Sequence, residues 1–173
     1  AALTRLEESF SNRQVKQPVE QSNARQLEIQ LTNWPDGVRG VPNITLRSAI
    51  FSSSRSSCHT YLQRAEIYSQ RPTQIRYTGP RLDQGDLDVW IALLHIARRK
   101  MMGKSFKTSA YELLKQQGKT DAGNNRKTLY KRLFRLAAAT LEINATRYSY
   151  TGGLVDSIYR DEITHELVIS LNP

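Results

Sequence analysis

The chain has 173 residues and a mass of 19.8 kDa, which corresponds to one ordinary domain, with or without an arm, and excludes two large domains. Hydrophobic residues make up 39% of the chain and charged residues 24%, so the sequence can form a core and is not disordered throughout. It lacks both an apolar run of roughly 18 residues and a signal-peptide pattern, and its single cysteine, Cys58, excludes an internal disulfide, so we expect a cytoplasmic protein.

The charge of the chain is strongly basic and unevenly distributed. The formal net charge is +9 and the isoelectric point is about 9.9, which favours partners that carry negative charge, above all nucleic acid. Residues 80–141 contain 13 basic and 5 acidic residues, whereas residues 142–173 contain 2 basic and 5 acidic residues. We therefore expect the binding surface in the middle of the chain; the alternative is that these basic residues only solvate helix faces.

Residues 1–40 have the composition of an arm or linker that precedes the main domain. Apolar residues at helical spacing predict a short helix over residues 3–17, and an alternating stretch predicts one strand over residues 27–31. The serine-rich residues 52–60 have no apolar periodicity and are expected to form an exposed loop.

A strand and a long helix are predicted next. Residues 74–78 alternate between apolar and polar side chains and are ended by a Gly-Pro pair, which is typical of a half-buried strand. The following helix begins with Asp83 or Asp86 as its cap and ends at the basic residues 98–100, in agreement with the helix dipole. Because apolar residues occupy both sides of this helix, we expect it at the centre of the core.

Two further helices are predicted before the chain returns to strands. Residues 105–107 are expected to form a short strand, followed by a helix that is capped by Thr108 or Ser109 and ends at Gly118. A third helix is predicted from about Asn124 to Thr140, and its side chains separate into two arcs. The arc expected to pack contains Leu129, Tyr130, Leu133, Phe134, Leu136, Ala137, Thr140 and Leu141. The opposite arc contains Lys127, Lys131 and Arg135 at intervals of four, with Asn124, Thr128 and Arg132 beside them.

The C-terminal part of the sequence predicts three strands. They are expected over residues 142–150, 154–160 and 166–171, with a turn at residues 151–153. The order strand, helix, short strand, helix, helix, hairpin predicts an α+β winged-helix domain over residues 41–173. Such a domain contacts DNA through the second helix of the helix-turn-helix, through the hairpin wing, or through both.

Three segments, in the same order, resemble the TrfA family of plasmid replication initiators. They are residues 41–51 (VPNITLRSAIF), 75–79 (IRYTG) and 87–90 (LDVW). The family carries P-N-x-x-x-R-S-A-x-F, then I-x-Y-T-G, then an acidic helix start that ends in V-W. The similarity extends over about residues 41–171 and, after Trp90, consists of the pattern of helices and strands.

The resemblance implies an initiator of bacterial plasmid replication. Members of the family bind repeated sites, called iterons, in double-stranded plasmid origin DNA, help to open the duplex, and recruit host replication initiation proteins and the helicase. They control copy number through a balance of monomers and homodimers. Related initiators carry two winged helices, and this chain ends at Pro173, where the second one is expected to begin. We therefore expect a fragment or a naturally short form.

Seven side chains are candidates for DNA contact, and each has a structural alternative. We expect Lys127, Lys131, Arg132 and Arg135 to neutralise phosphates, unless they form only a solvated face. Asn124 and Thr128 are placed to contact bases or to cap the helix. Arg147 lies before the turn at residues 151–153, where the hairpin is expected either to touch DNA or to extend a sheet across a dimer axis.

The sequence predicts neither an enzyme nor a cofactor. His59, His95 and His165 are far apart in the sequence and have no second ligand at metal spacing, so no metal site is expected. The chain has no recognisable arrangement of nucleophile and base. The alternatives to DNA binding by an initiator domain are a pure dimerisation module and an unrelated winged-helix transcription regulator.

Overall fold

The computed structural model describes residues 35, 38–40, 48–53, 59–67, 72–98, 105–147 and 149–172. The helix predicted over residues 3–17 and the strand predicted over residues 27–31 lie outside these residues, and the boundary between arm and domain stays a prediction. Arg39 of the predicted arm donates hydrogen bonds to the side-chain and main-chain oxygens of Gln116, over 2.8 and 3.0 Å. This end of the arm therefore lies against the protein's second described helix.

The described residues form a mixed α and β fold with three helices, which confirms the α+β class. In chain order the elements are β1 (Phe51–Ser52), β2 (Tyr61–Ile67), β3 (Gln74–Pro80), β4 (Leu82–Asp83), α1 (Gln84–Ala97), β5 (Phe106–Ser109), α2 (Ala110–Gln116), α3 (Gly123–Ala137), β6 (Thr140–Asn144), β7 (Ser149–Gly153), β8 (Val155–Arg160) and β9 (Glu166–Leu171). The strand at residues 74–78 and the three helices were predicted, whereas β2 was not.

The larger sheet has four antiparallel strands in the order β2-β3-β6-β7. Its inner face is apolar, since Tyr77 and its partner Leu141 are both buried. Its outer face carries Glu66, Arg76 and Glu142 side by side in register. The alternation of apolar and polar residues along each strand therefore separates a core face from a solvated face.

The smaller three-stranded sheet has the order β5-β9-β8 and joins distant parts of the chain. β9 pairs with β5 through Phe106 and Ile169, and β8 pairs antiparallel with the other side of β9. Phe106 and Ile169 are buried, and the helices α1 to α3 contribute the other large part of the core. A short parallel pair, β1 with β4, precedes α1.

Helix α1 occupies the centre of the core, as its sequence predicted. Asp83 accepts a hydrogen bond from the backbone N–H of Asp86, and the Asp86 carboxylate accepts one from the backbone N–H of Asp83, both over 2.9 Å. This capping box fixes where the helix begins. Val89 and Leu93 have no exposed surface, so the middle of the helix is fully enclosed.

The prediction of one strand over residues 142–150, followed by a turn at 151–153, is wrong. The first strand ends at Asn144, and Gly152 and Gly153 belong to β7, paired with Leu141 and Thr140. A Cβ at Gly152 would lie 2.2 Å from the Tyr150 hydroxyl oxygen, so this glycine serves a close packing contact in a strand. The wing candidate is consequently the β8–β9 hairpin, which pairs with β5.

Candidate nucleic-acid interface

Helix α3 presents one face to the core and one to solvent. Leu129, Leu133 and Leu136 are buried against neighbouring elements, and the helix packs on α1, α2 and β8. The helix ends at Ala137, so Thr140 and Leu141, which were predicted to share its packing arc, belong to β6 instead. This packing leaves the opposite side of α3 available for a ligand.

Three of the predicted DNA-binding residues lie together on the exposed side of α3. Asn124, Lys127 and Lys131 are exposed, and their spacing of three and four residues places them on one face. Asn124 does not cap the helix, because Ala122 is the N-cap and makes no side-chain cap bond. The two ammonium groups and the amide therefore form one exposed polar surface, which we call the lysine face.

Phe134 lies on the solvent side of α3, which contradicts its predicted place in the packing arc. Its side chain is 74% exposed, whereas its neighbour Leu133 is buried. Phe134 follows Lys127 and Lys131 at spacings of seven and three residues, so it extends the lysine face with an aromatic ring.

The side chain of Arg135 does not lie on the lysine face. Its Nη2 atom is 2.6 Å from Asp86 Oδ1, and its Nε atom donates to both oxygens of that carboxylate over 3.1 Å. Asp86 has no exposed surface, and the Arg135 side chain is only 15% exposed. Arg135 therefore neutralises a buried carboxylate and connects α3 to the start of α1. The prediction that it belongs to one cationic stripe with Lys127 and Lys131 is wrong for this reason.

The guanidinium of Arg132 also turns towards the start of α1. A Cβ built on Gly85 would lie 2.1 Å from Arg132 Nη2, so the arginine occupies the space beside this glycine. Burial alone would raise the pKa of the nearby Asp83 carboxyl. Hydrogen bonds from the backbone N–H groups of Asp86 and Gly85 outweigh that effect, and the charges of Arg135 and Arg132 add to them. The pKa of Asp83 is therefore below its ordinary value.

His59 lies beside the same carboxylates. Its Nε2 atom is 3.8 Å from Asp83 Oδ2, and its Nδ1 atom is 2.7 Å from the Arg81 carbonyl oxygen. In the described part of the chain, His59, Asp83 and Asp86 offer three ligand atoms within 4.8 Å of one another. Arg135 binds both oxygens of Asp86, so this carboxylate of the group is engaged in an ion pair between α1 and α3.

Thr128 and Arg147 occupy different surroundings from the lysine face. The Thr128 hydroxyl donates to the carbonyl of Asn124 over 2.9 Å, and its residue is half-buried beside α2. Arg147 is exposed in the turn that joins β6 to β7, so it belongs to the four-stranded sheet. The structure thus brings together Asn124, Lys127 and Lys131, and places Thr128 with Arg132 in a crevice next to them.

Sequence reasoning missed two contacts that hold this surface in place. The guanidinium of Arg160, in β8, stacks over the ring of Tyr130, with 4.8 Å between the guanidinium carbon and the ring centroid. The pair Asp86–Arg135 joins residues 49 positions apart, so no local spacing could have indicated it.

The sequence comparisons identify the family to which this chain belongs. It belongs to the TrfA protein family, whose model matches residues 4–160. The plasmid replication initiator protein TrfA of Escherichia coli is 29% identical over 140 residues, which cover 79% of this chain. The chain spans 37% of the length of that curated relative.

The fold is similar to that of domains 2 and 3 of RctB. Two crystal structures of these domains match with TM-scores of 0.55 and 0.51, each at 10% sequence identity. The matches cover 75% and 72% of this chain, and 56% and 55% of the RctB chains. In the described part of the chain, no helix combines the length and apolar character that crossing a bilayer requires.

Proposed function

We propose that this chain is a winged-helix domain of a plasmid replication initiator, which binds double-stranded origin DNA mainly through phosphates. The observation that carries the proposal is the lysine face of α3. Lys127 and Lys131 are exposed there, while the other side of the helix is held by buried leucines and by the ion pair of Arg135 with Asp86. A rigid helix with an outward cationic face suits contact with a DNA backbone.

The topology supports the winged-helix assignment. The order α1, β5, α2, α3 is followed by the β8–β9 hairpin, and β9 returns to pair with β5. This order supports the proposal of a helix-turn-helix with a β-hairpin wing, in which α3 takes the place of the DNA-contacting helix. The cation–π contact of Arg160 with Tyr130 fixes the wing beside α3.

The tip of the β8–β9 hairpin disfavours a phosphate contact by the wing. Asp161 and Glu162 lie there, and both are exposed. The backbone N–H groups of Thr164 and Ile163 donate to Asp161, which holds the pKa of its carboxyl below the ordinary value and keeps it charged. Negative charge at this tip repels DNA phosphates, so the proposal assigns the main contact to α3.

Homodimerisation is a second proposed function, carried by the exposed edge of the four-stranded sheet. Strand β7 pairs with β6 on one side and has no strand on its other side among the described residues. Its sequence, SYTGG, contains no charged residue that would discourage pairing. At the opposite edge, β2 carries Arg64 at a positive φ of 46° within a register shift, which protects that edge. We propose that β7 pairs with a second copy of the chain.

Charge reversal tests the proposed DNA contact. The double variant K127E/K131E should weaken binding to an iteron duplex by about 100-fold, equivalent to about 2.7 kcal/mol, because two phosphate contacts become repulsive. The matched control R81E/K107E changes the net charge equally at exposed residues outside α3. It should weaken binding only a few-fold, and light scattering should give the same oligomeric state for both variants. Equal losses of binding in the two variants would refute the assignment of α3.

A further inference from the structure

We infer that Phe134 contacts the methyl group of a thymine in the major groove of the bound duplex, so that α3 distinguishes bases as well as binding phosphates. The inference rests on the proposed function and names a residue that determines specificity at the same surface. Its starting observation is an exposed aromatic ring beside two exposed lysines, which phosphate binding alone does not explain.

The exposed side of α3 changes from polar to apolar along the helix. The residues of the lysine face come first, and Phe134 and Ala137 follow Lys131 at intervals of three residues. Ala137 is exposed, and so is Ala138, directly after the helix. With a rise of about 1.5 Å per residue, Phe134 lies about 4.5 Å along the axis from Lys131. The ring is therefore next to a proposed phosphate contact, and the small side chains that follow it leave room for a ligand.

The contacts of neighbouring residues hold the ring outward. Leu133 and Leu136 are buried, and Arg135 is 2.6 Å from Asp86. Because these residues fix the rotation of α3 about its axis, the side chain of Phe134 stays 74% exposed. A single exposed apolar residue is common on protein surfaces. This one, however, lies within the surface to which we assign DNA binding, where an apolar group can take part in recognition.

The charge of α3 favours a nucleic acid as the partner of this ring. The helix contains no aspartate or glutamate, and its basic residues are Arg126, Lys127, Lys131, Arg132 and Arg135. A partner must therefore combine negative charge with an apolar group. A DNA duplex has both, because the C5-methyl group of thymine projects into the major groove between the phosphate backbones, and phenylalanine is one of the side chains that contact it. The alternative is an acidic protein surface with an apolar residue.

The experiment is a thermodynamic cycle between Phe134 and the thymine methyl groups. Fluorescence anisotropy measures the affinity of the full chain for an iteron duplex and for the same duplex with deoxyuridine in place of thymidine, which lacks only the methyl groups. The wild type should bind the deoxyuridine duplex about four-fold more weakly, equivalent to about 0.8 kcal/mol for one buried methyl group. F134A should bind both duplexes equally, whereas F134L, which keeps an apolar side chain, should retain a preference for thymidine.

Two control variants separate this contact from phosphate binding. Y61A removes an exposed aromatic ring from β2, outside α3, and should keep the wild-type preference. K127Q/K131Q should lower the slope of log affinity against log salt by about 1.8 and keep the preference, whereas F134A should keep the wild-type slope. Because Phe134 is exposed, F134A should also keep the wild-type melting temperature, so that a lost preference does not reflect unfolding.

Each outcome supports or overturns the contact. A preference for thymidine that F134A abolishes supports it. If the wild type binds both duplexes equally while K127Q/K131Q lowers the salt slope, the thymine contact is wrong and the proposed function stands. If F134A keeps the preference, another residue contacts the methyl group and the assignment is wrong; a changed oligomeric state of that variant in light scattering would then assign the ring to a protein contact. Failure of the wild type to bind either duplex at low salt overturns the proposed function together with this inference.

Discussion

Replacing Arg135 by Gln should destabilise the protein more than any change on the lysine face. The replacement leaves the Asp86 carboxylate, which has no exposed surface, without its guanidinium partner. Breaking a buried ion pair in this way costs about 3 to 5 kcal/mol. Asp86 keeps its hydrogen bond from the backbone N–H of Asp83, so we expect the lower end, about 3 kcal/mol. This is a large part of the roughly 5 to 15 kcal/mol that stabilises a typical domain.

Replacing the other partner of the ion pair, by Asp86→Asn, should destabilise the protein less. The Arg135 side chain is already 15% exposed and can turn its charge into water, and the amide oxygen of Asn still accepts the hydrogen bond from Asp83. We expect about 1 to 2 kcal/mol, in the range of a weakened helix cap. The two replacements should therefore destabilise the protein unequally, and the larger cost should follow replacement of Arg135, which is the less buried partner.

Urea unfolding followed by far-UV circular dichroism measures both costs and their coupling. The double variant D86N/R135Q should be more stable than the sum of the single changes predicts, by about 1 to 3 kcal/mol, because neither charge is then left alone. K131Q, on the same helix and exposed, should stay within about 0.5 kcal/mol of the wild type. A cost for Arg135→Gln that is below 1 kcal/mol, or below that of Asp86→Asn, would refute the buried ion pair.

Four further substitutions test the packing and the electrostatics of the protein. Leu133→Ala should lower the free energy of unfolding by about 2 to 5 kcal/mol, and Phe134→Ala should lower it by less than about 0.5 kcal/mol. If chemical denaturation gives similar losses for the two variants, Phe134 lies in the core and the structure of α3 is contradicted. Gly79→Ala should cost more than about 1 kcal/mol, because φ is +141° and the Cβ would lie 2.8 Å from a backbone oxygen, and an unchanged melting temperature would contradict this. The pKa of Asp83 is lower in the folded than in the unfolded protein. The stability that this difference adds is complete above the pKa of the unfolded state and is lost as the pH falls through the pKa of the folded state. A plot of stability against pH should therefore be flatter on its acid side for Asp83→Asn than for the wild type.

The sequence predicts where α1 and α2 begin because capping chemistry is local, whereas α3 ends at Ala137, before the predicted Thr140. Asp83 was named as a candidate for the N-cap of α1 and Ser109 for that of α2, and both side chains accept the expected backbone hydrogen bonds. Gly118 follows the end of α2 with a positive φ of 68°, as glycine after a helix often does. These signals depend on neighbours within four residues, which a single sequence contains.

The sequence predicts only part of the surface of α3, because distant partners decide where some of its side chains lie. Arg135 and Lys131 lie on the same side of α3 in a helical projection. In the structure their surroundings differ, because Arg135 forms an ion pair with the buried Asp86. Phe134 was expected to pack because it is apolar, yet the space beside α3 is filled by the leucines and by Arg132 over Gly85.

The strands at the C-terminus show a similar limit of local signals. A glycine pair usually marks a turn, whereas Gly152 and Gly153 lie within β7, where close contacts leave no room for a side chain. Tyr150 and Val155 are close to these glycines in the sequence, but Asn172 and Ala139, which also lie beside them, come from distant positions that a single sequence does not bring together.

The most direct test of the account is a salt series of fluorescence-anisotropy titrations with an iteron duplex and a scrambled duplex. The wild type should bind both with a steep salt dependence, and K127Q/K131Q should lower the slope of log affinity against log salt by about 1.8, the value for two phosphate contacts. Wild-type slopes in the double variant, or no binding by the wild type at low salt, would contradict the claim that the lysine face of α3 binds origin DNA.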